Sequence, residues 1–132
     1  MLDIKFIREN SDLIKDATTK KRLSFNVDEL VTLDTRRLEI LKLVEDLRAE
    51  QNRASDAITK ATNEERNGLI DSMRRVKEDL KKKEDELEEI MKSWRVLMLA
   101  VPNIPDISVP EGKDDADNVE VKKWGEIPTF SF

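Results

Sequence analysis

The sequence predicts an all-α protein, a long antiparallel two-helix coiled-coil hairpin with a small helical base and an extended C-terminal hinge. Three observations predict this class. Charged residues make up 40% of the 132 residues and aromatic residues 5%, with only three glycines, a bias typical of long helices rather than sheets. Two heptad series of similar length follow each other in the middle of the chain. All four prolines come after the second series, where they end the helical pattern.

Residues 1–27 predict the helical base. A first short pattern carries Ile4 and Ile7, and either Asn10 or Ser11 can cap a second one. The apolar residues of the second pattern are Leu13, Ile14 and Ala17. The residues that follow, 23–27, predict a connector whose apolar side chains anchor it to a neighbouring helix.

Residues 28–101 predict the coiled-coil arm. The first series has its a positions at Leu30, Arg37, Val44, Gln51 and Ile58, and its d positions at Leu33, Ile40, Leu47, Ala54 and Ala61. The second series runs through Leu69, Met73, Val76, Leu80, Lys83, Leu87, Ile90, Trp94, Leu97 and Val101. Thr62 and Glu65 have the spacing of a capping box, which predicts the start of the second helix and a tip at about 60–65. The arm then reaches roughly 45–50 Å at 1.5 Å per residue.

The seam predicted from these series is uneven. Small or polar residues at Gln51 and Ala54 thin it toward the tip, whereas Trp94 is expected to pack in the core near the base. We expect Arg37 and Lys83 to cover the seam with their alkyl chains while their charges reach solvent or a carboxylate.

Residues 102–132 predict a proline-rich hinge. Pro102, Pro105 and Pro110 end the second helix, since proline lacks an amide donor and clashes with the preceding turn. Apolar and charged residues alternate over Val119–Trp124, which predicts a short strand. A lone strand cannot bury a face, so this segment needs a neighbour outside this chain, and Trp124 is expected to pack against the base or against a domain outside this chain.

The composition excludes most catalytic sites. The chain has no His and no Cys, so imidazole bases, thiolate nucleophiles and the usual zinc ligands are missing. We therefore expect no catalytic residue, no metal site and no cofactor in this chain. No apolar run reaches the roughly 18 residues of a membrane span, and the acidic start does not resemble a targeting peptide. These features predict a cytoplasmic protein with no membrane partner.

The charge is unevenly distributed along the chain. The formal net charge is −5, yet residues 42–83 carry a balance of +2 and the remainder −7. RNA affinity depends largely on Lys and Arg that displace counterions, so the distal arm is the part suited to phosphate. The candidate contacts are Arg48, Arg53, Lys60, Arg66, Arg74, Lys77 and Lys81. The alternative is that these are solvated flank residues of a structural or protein-interaction coiled coil, paired with neighbouring carboxylates such as Glu50 and Glu78.

Several spaced motifs together resemble the N-terminal domain of bacterial seryl-tRNA synthetases. These motifs are Met1-Leu2-Asp3, Val27-Asp28-Glu29-Leu30, Arg48-Ala49-Glu50-Gln51-Asn52, Pro102-Asn103-Ile104-Pro105, Val109-Pro110, Gly112-Lys113-Asp114, Asp117-Asn118-Val119-Glu120-Val121 and Trp124-Gly125. The sequence departs from the family at three positions. Ser11 replaces a common proline and Arg22 a helix-ending glycine, both expected to be neutral, and Gln51 replaces an arginine and so removes one positive charge.

The resemblance implies an arm that docks between the long variable arm and the TΨC side of a serine tRNA. It also implies a longer parent protein, a class II serine–tRNA ligase that uses ATP and Mg²⁺ and is a homodimer through its catalytic domain, whereas this fragment is expected to be a monomer. The distal arm contains no aromatic residue, so stacking on bases is not available and we expect recognition of backbone shape.

Overall fold

The computed structural model describes residues 2–126 and 128–131. Met1, which begins the family-like opening motif, and positions 127 and 132 of the predicted hinge lie outside the described residues. The described part contains four α-helices, namely α1 (Ile4–Glu9), α2 (Ser11–Lys20), α3 (Val27–Lys60) and α4 (Asn63–Ala100), with one 3₁₀ turn at Asp115–Asp117. The division of the chain at 27/28 and 101/102 stays a prediction.

Helices α3 and α4 pack along their length as an antiparallel hairpin, which confirms the predicted fold class. At 1.5 Å per residue, helices of 34 and 38 residues measure about 51 and 57 Å. The turn between them consists of Ala61 and Thr62. Thr62 and Glu65 form the predicted capping box, in which the Glu65 carboxylate accepts hydrogen bonds from the Thr62 amide (3.4 Å) and hydroxyl (2.9 Å).

The predicted seam is the buried surface of the hairpin. All twenty of its positions are buried or half-buried. A central cluster of Ile40, Val44 and Leu80 is buried, whereas the seam positions nearer the tip are only half-buried. The core therefore thins toward the tip, as the small and polar seam residues predict.

The base helices pack on one side of the hairpin, near its open end. Ile7 and Ile14 are fully buried in one cluster with Val27, Leu30 and Met98. The cap predicted for the second helix agrees with the structure only in part. Asn10 is the residue before α2, but its side chain donates to the carbonyl of Phe6 at the end of α1 (3.0 Å) and makes no cap to α2.

The hinge begins in contact with the base and then leaves it. Ile104 packs on the base cluster, and Lys21 donates to the side chain of Asn103. The predicted strand over Val119–Trp124 is wrong for the described chain, because no neighbouring strand pairs with it. Trp124 is 92% exposed, so it does not pack against the base.

Arg22 is not the neutral change that the sequence suggested. Its φ is +54°, in the left-handed region, and it follows α2 in a Schellman motif in which its amide donates to the Thr19 carbonyl and the Leu23 amide to the Thr18 carbonyl. Glycine adopts this conformation without the steric cost of a Cβ. The sequence pattern shows the missing glycine, but only the backbone shows its consequence.

We expect Arg22→Gly to raise the free energy of unfolding by about 1 kcal/mol, because the left-handed conformation costs a residue with a Cβ roughly that amount. Urea unfolding followed by circular dichroism measures it. Arg22→Ala is the control, since it removes the side chain and keeps the Cβ. Equal stabilities of the Gly and Ala variants would contradict strain at this position.

Candidate nucleic-acid interface

Two ion pairs between the helices define the two sides of the arm. Nη2 of Arg48 lies 2.7 Å from Oε1 of Glu84, at the e positions of both heptads. Nη2 of Arg36 lies 2.6 Å from Oε1 of Glu86, at the g positions. In an antiparallel pair the e positions face each other on one side and the g positions on the other. We call these the Arg48 side, formed by e and b positions, and the Arg36 side, formed by g and c positions.

The base helices identify the Arg48 side independently. Asp34 and Met98, both buried at e positions, lie against α1 and the base cluster. The Arg36 side has no such cover at its base end, where an open apolar cleft is lined in part by Leu33, Val96 and Leu97. The Arg48 side therefore runs from the base helices outward along the arm.

The candidate cations divide between the two sides. Heptad position assigns Arg48, Arg74, Lys77 and Lys81 to the Arg48 side. It assigns Arg53 and Lys60 to the Arg36 side, together with two cations that the sequence analysis passed over, Arg75 and Lys82. Arg66 lies in the first turn of α4, in line with the seam at the tip. The arm thus brings together four of the seven candidates and separates two others from them.

Carboxylates make the two sides electrostatically different. Within residues 42–83, the Arg48 side carries four cations and one carboxylate, Glu45. Over the same residues, the Arg36 side carries four cations and four carboxylates. These carboxylates are Asp46, Glu50, Glu65 and Asp79. The positive balance of the distal arm is therefore concentrated on the Arg48 side.

The availability of the cations also differs. Lys77 and Lys81 are exposed and form no ion pair among the described residues, and the same holds for Arg53, Lys60 and Arg66. Nε of Arg74 lies 3.4 Å from Oε1 of Glu78, a pair between two exposed side chains that contributes little. Of the carboxylates named as alternative partners, only Glu78 is paired in this way.

The base end of the Arg36 side is acidic and internally paired. Hydrogen bonds from Lys83 and then from Arg36 lower the pKa of Glu86, so this carboxylate stays ionised and holds both cations. The expectation that the Lys83 charge reaches a carboxylate is met here, at 2.7 Å from Nζ to Oε2. This end of the arm offers no free cation cluster to an anionic ligand.

A buried polar cluster near the base is the feature that the sequence analysis missed. Asp34 is fully buried and accepts hydrogen bonds from Nε of Arg37 (2.9 Å) and Nε1 of Trp94 (3.0 Å). The guanidinium of Arg37 lies 5.0 Å from the centre of the Trp94 ring. Asp34 occupies an e position that is ordinarily solvated, and it is buried here by contacts with Arg8 on α1, Arg37 on α3 and Trp94 on α4.

The described residues contain no group of three or more acidic side chains arranged to hold a metal ion. Asp114 and Asp117, in the acidic loop of the hinge, accept hydrogen bonds from the backbone amides of Ala116 and Lys113. Among the same residues, no helix is long and apolar enough to cross a membrane.

Comparison with known proteins gives a consistent result. A family model described as the seryl-tRNA synthetase N-terminal domain matches residues 1–105. All 132 residues align at 41% identity with a protein of Deinococcus radiodurans named serine–tRNA ligase, of which they cover 31%. Proteins of the same name from Carboxydothermus hydrogenoformans and Nitratidesulfovibrio vulgaris are 37% and 39% identical, with the whole chain covering 32% of each. The chain therefore spans about a third of the length of these relatives.

Proposed function

Because this chain belongs to the seryl-tRNA synthetase N-terminal domain family, we propose that it is a tRNA-binding arm that docks on serine tRNA through its Arg48 side. The observation that carries the proposal is the excess of cations over carboxylates on this side within residues 42–83, with Lys77 and Lys81 exposed and unpaired among the described residues. Such Lys and Arg side chains bind RNA phosphates and displace the counterions of the RNA. The competing function, a structural or protein-interaction coiled coil, has no comparable observation in its favour.

Recognition in this proposal is of backbone shape. The distal arm has no aromatic side chain to stack on bases, and its long rigid surface can follow the phosphates and 2′-hydroxyls of an RNA helix. The long variable arm and the TΨC side of serine tRNA are the surfaces that we propose for docking. Arg53 and Lys60 then lie away from the RNA, and Gln51, half-buried in the seam, contributes no contact.

The chain supplies binding rather than chemistry. We propose that it positions tRNA for ATP- and Mg²⁺-dependent serylation by a class II catalytic domain of the longer protein, in the cytoplasm. The relatives named serine–tRNA ligase, three times as long as this chain, support that arrangement. In the same proposal the longer protein is a homodimer through its catalytic domain, and this chain alone is a monomer.

Titration of the chain with serine tRNA, and with the same tRNA lacking its variable arm, tests the proposal. We expect weak binding to the intact tRNA, with log affinity falling by about 3 per decade of salt if the four cations of the Arg48 side each contact a phosphate. The truncated tRNA should bind more weakly. Equal binding of both RNAs, independent of salt, would refute the tRNA-binding function.

A further inference from the structure

We propose that the buried cluster of Asp34, Arg37 and Trp94 sets the register of the hairpin, with Asp34 as a positioning residue. Asp34 is fully buried, and its Oδ1 accepts two hydrogen bonds, from Nε1 of Trp94 (3.0 Å) and from Nε of Arg37 (2.9 Å), with Nη2 of Arg37 at ion-pair distance (2.8 Å). Its Oδ2 accepts no hydrogen bond from the described residues and lies 3.6 Å from Nη1 of Arg8 on α1. One carboxylate thus joins α1, α3 and α4.

The apolar seam alone does not define the register. A heptad repeat keeps its a and d positions in the seam when one helix slides by seven residues, and apolar residues then fill most of the layers. Such a slip also moves the two-residue turn of Ala61 and Thr62 and unwinds about two helical turns near the tip, where the seam positions are only half-buried. A buried polar group that requires one particular partner distinguishes the observed alignment from its neighbours better than apolar packing does.

Asp34 makes that distinction. If α4 slides by seven residues, Trp94 is replaced opposite Asp34 by Leu87 in one direction and by Val101 in the other. Neither side chain has an N–H group, so the buried carboxylate loses a hydrogen-bond donor. Leaving a buried polar group without its partner disfavours a state by about 5- to 150-fold. Arg37 simultaneously loses the indole ring that lies 5.0 Å from its guanidinium.

A buried ionic group of this kind need not add stability. Replacing buried ion pairs by apolar residues is often neutral or stabilising, whereas single buried polar residues are known to define register in coiled coils. We therefore expect Asp34→Leu to keep the helix content while losing the unique alignment.

The register matters for RNA binding only if the proposed function holds. A seven-residue slip moves Arg48 by about 10 Å along the arm relative to Lys77 and Lys81, which lie on the other helix, and so changes the spacing of the cations on the Arg48 side. The role of Asp34 in setting the register does not depend on RNA, and it can be tested without RNA. A failure of this role and a failure of the tRNA proposal are then separate results.

Disulfide trapping reads the register directly, because the chain contains no cysteine and an introduced pair has no competitor. Arg36→Cys with Glu86→Cys reports the observed register, since these side chains meet across the hairpin. Arg36→Cys with Ala100→Cys, and Arg36→Cys with Asp79→Cys, report slips of seven residues in either direction, because these g positions come level with residue 36 only after such a slip. Each pair is oxidised in a glutathione buffer, so that bridge formation reaches equilibrium.

In the otherwise unchanged chain we expect the Arg36/Glu86 pair to form its bridge at least about tenfold more readily than either slipped pair. Adding Asp34→Leu should raise the yield of the slipped bridges relative to the Arg36/Glu86 bridge by about tenfold, while the helix content measured by circular dichroism is preserved. Asp46→Leu, which changes an exposed aspartate on the same helix, is the matched control and should leave the ratio unchanged.

Unchanged ratios in Asp34→Leu would overturn the proposal. If that variant does not fold, Trp94→Phe decides the question, because it removes the indole N–H, together with part of the ring system, and keeps an aromatic side chain. A higher yield of the slipped bridges in Trp94→Phe supports the role of the cluster in setting the register. A ratio of slipped to Arg36/Glu86 bridges equal to that of the Asp46→Leu control refutes it.

Discussion

Replacing both Lys77 and Lys81 by alanine is expected to weaken binding of serine tRNA to this chain by about 5- to 30-fold. Exposed lysine contacts are worth about 0.5–1 kcal/mol each, and 1–2 kcal/mol corresponds to that factor. Both lysines are exposed and form no ion pair among the described residues, so the loss measures RNA contacts rather than an internal pair. The salt dependence should fall with the affinity, by about 1.4–1.8 in the slope of log affinity against log salt. Fluorescence anisotropy at several salt concentrations measures both quantities.

The Arg36 side offers a matched control for this prediction. Arg53→Ala with Lys60→Ala removes the same charge from exposed and equally unpaired positions of the distal arm. If RNA docks on the Arg48 side, this control should change affinity less than the Lys77/Lys81 variant and leave the salt slope nearly intact. A larger loss in the control would move the interface to the Arg36 side. Equal losses would indicate a general charge effect without a preferred side.

Leu30→Ala is expected to lower the free energy of unfolding by about 2–5 kcal/mol, the largest stability change that we predict. Leu30 is fully buried where α3, α4 and the base helices meet, in a cluster with Ile7 and Met98. Truncation removes buried methyl groups and leaves a cavity that three packed elements cannot easily fill. Guanidinium unfolding followed by circular dichroism measures the change.

Leu43→Ala is the control for Leu30→Ala, because it makes the same chemical change on the same helix at a side chain that is 45% exposed. We expect a loss below about 1 kcal/mol, near the range of surface substitutions. Similar losses at both positions would mean that the base cluster does not dominate the stability of the hairpin.

The arm could be predicted in detail from the sequence. Residues such as Ile40 and Leu80 recur at heptad spacing, and a helix needs only local periodicity to show which face is buried. The tip could also be predicted, because the Thr62–Glu65 capping box is a local sequence signal. The strand over Val119–Trp124 was not, because alternation describes a segment able to join a sheet and does not supply the sheet.

The candidate interface could be predicted only as a set of residues. The excess of cations over residues 42–83 is a property of composition, and it selects Arg48, Lys77 and Lys81 only as members of the least acidic part of the chain. It could not separate these residues from Arg53, because a linear count does not record which side of a hairpin a residue occupies. Their role in RNA binding stays a prediction.

The order of apolar and charged residues along the chain is sufficient to specify two long helices, the turn between them and the residues of their seam. How the two helices are aligned with each other is seen only in the tertiary structure. Asp34 contacts Trp94 sixty positions away and Arg8 on another helix, and these contacts bury a carboxylate at a heptad position that is ordinarily solvated. A heptad pattern changes little when one helix shifts by seven residues, because the a and d positions stay in the seam. A buried carboxylate, in contrast, requires one particular donor across the hairpin.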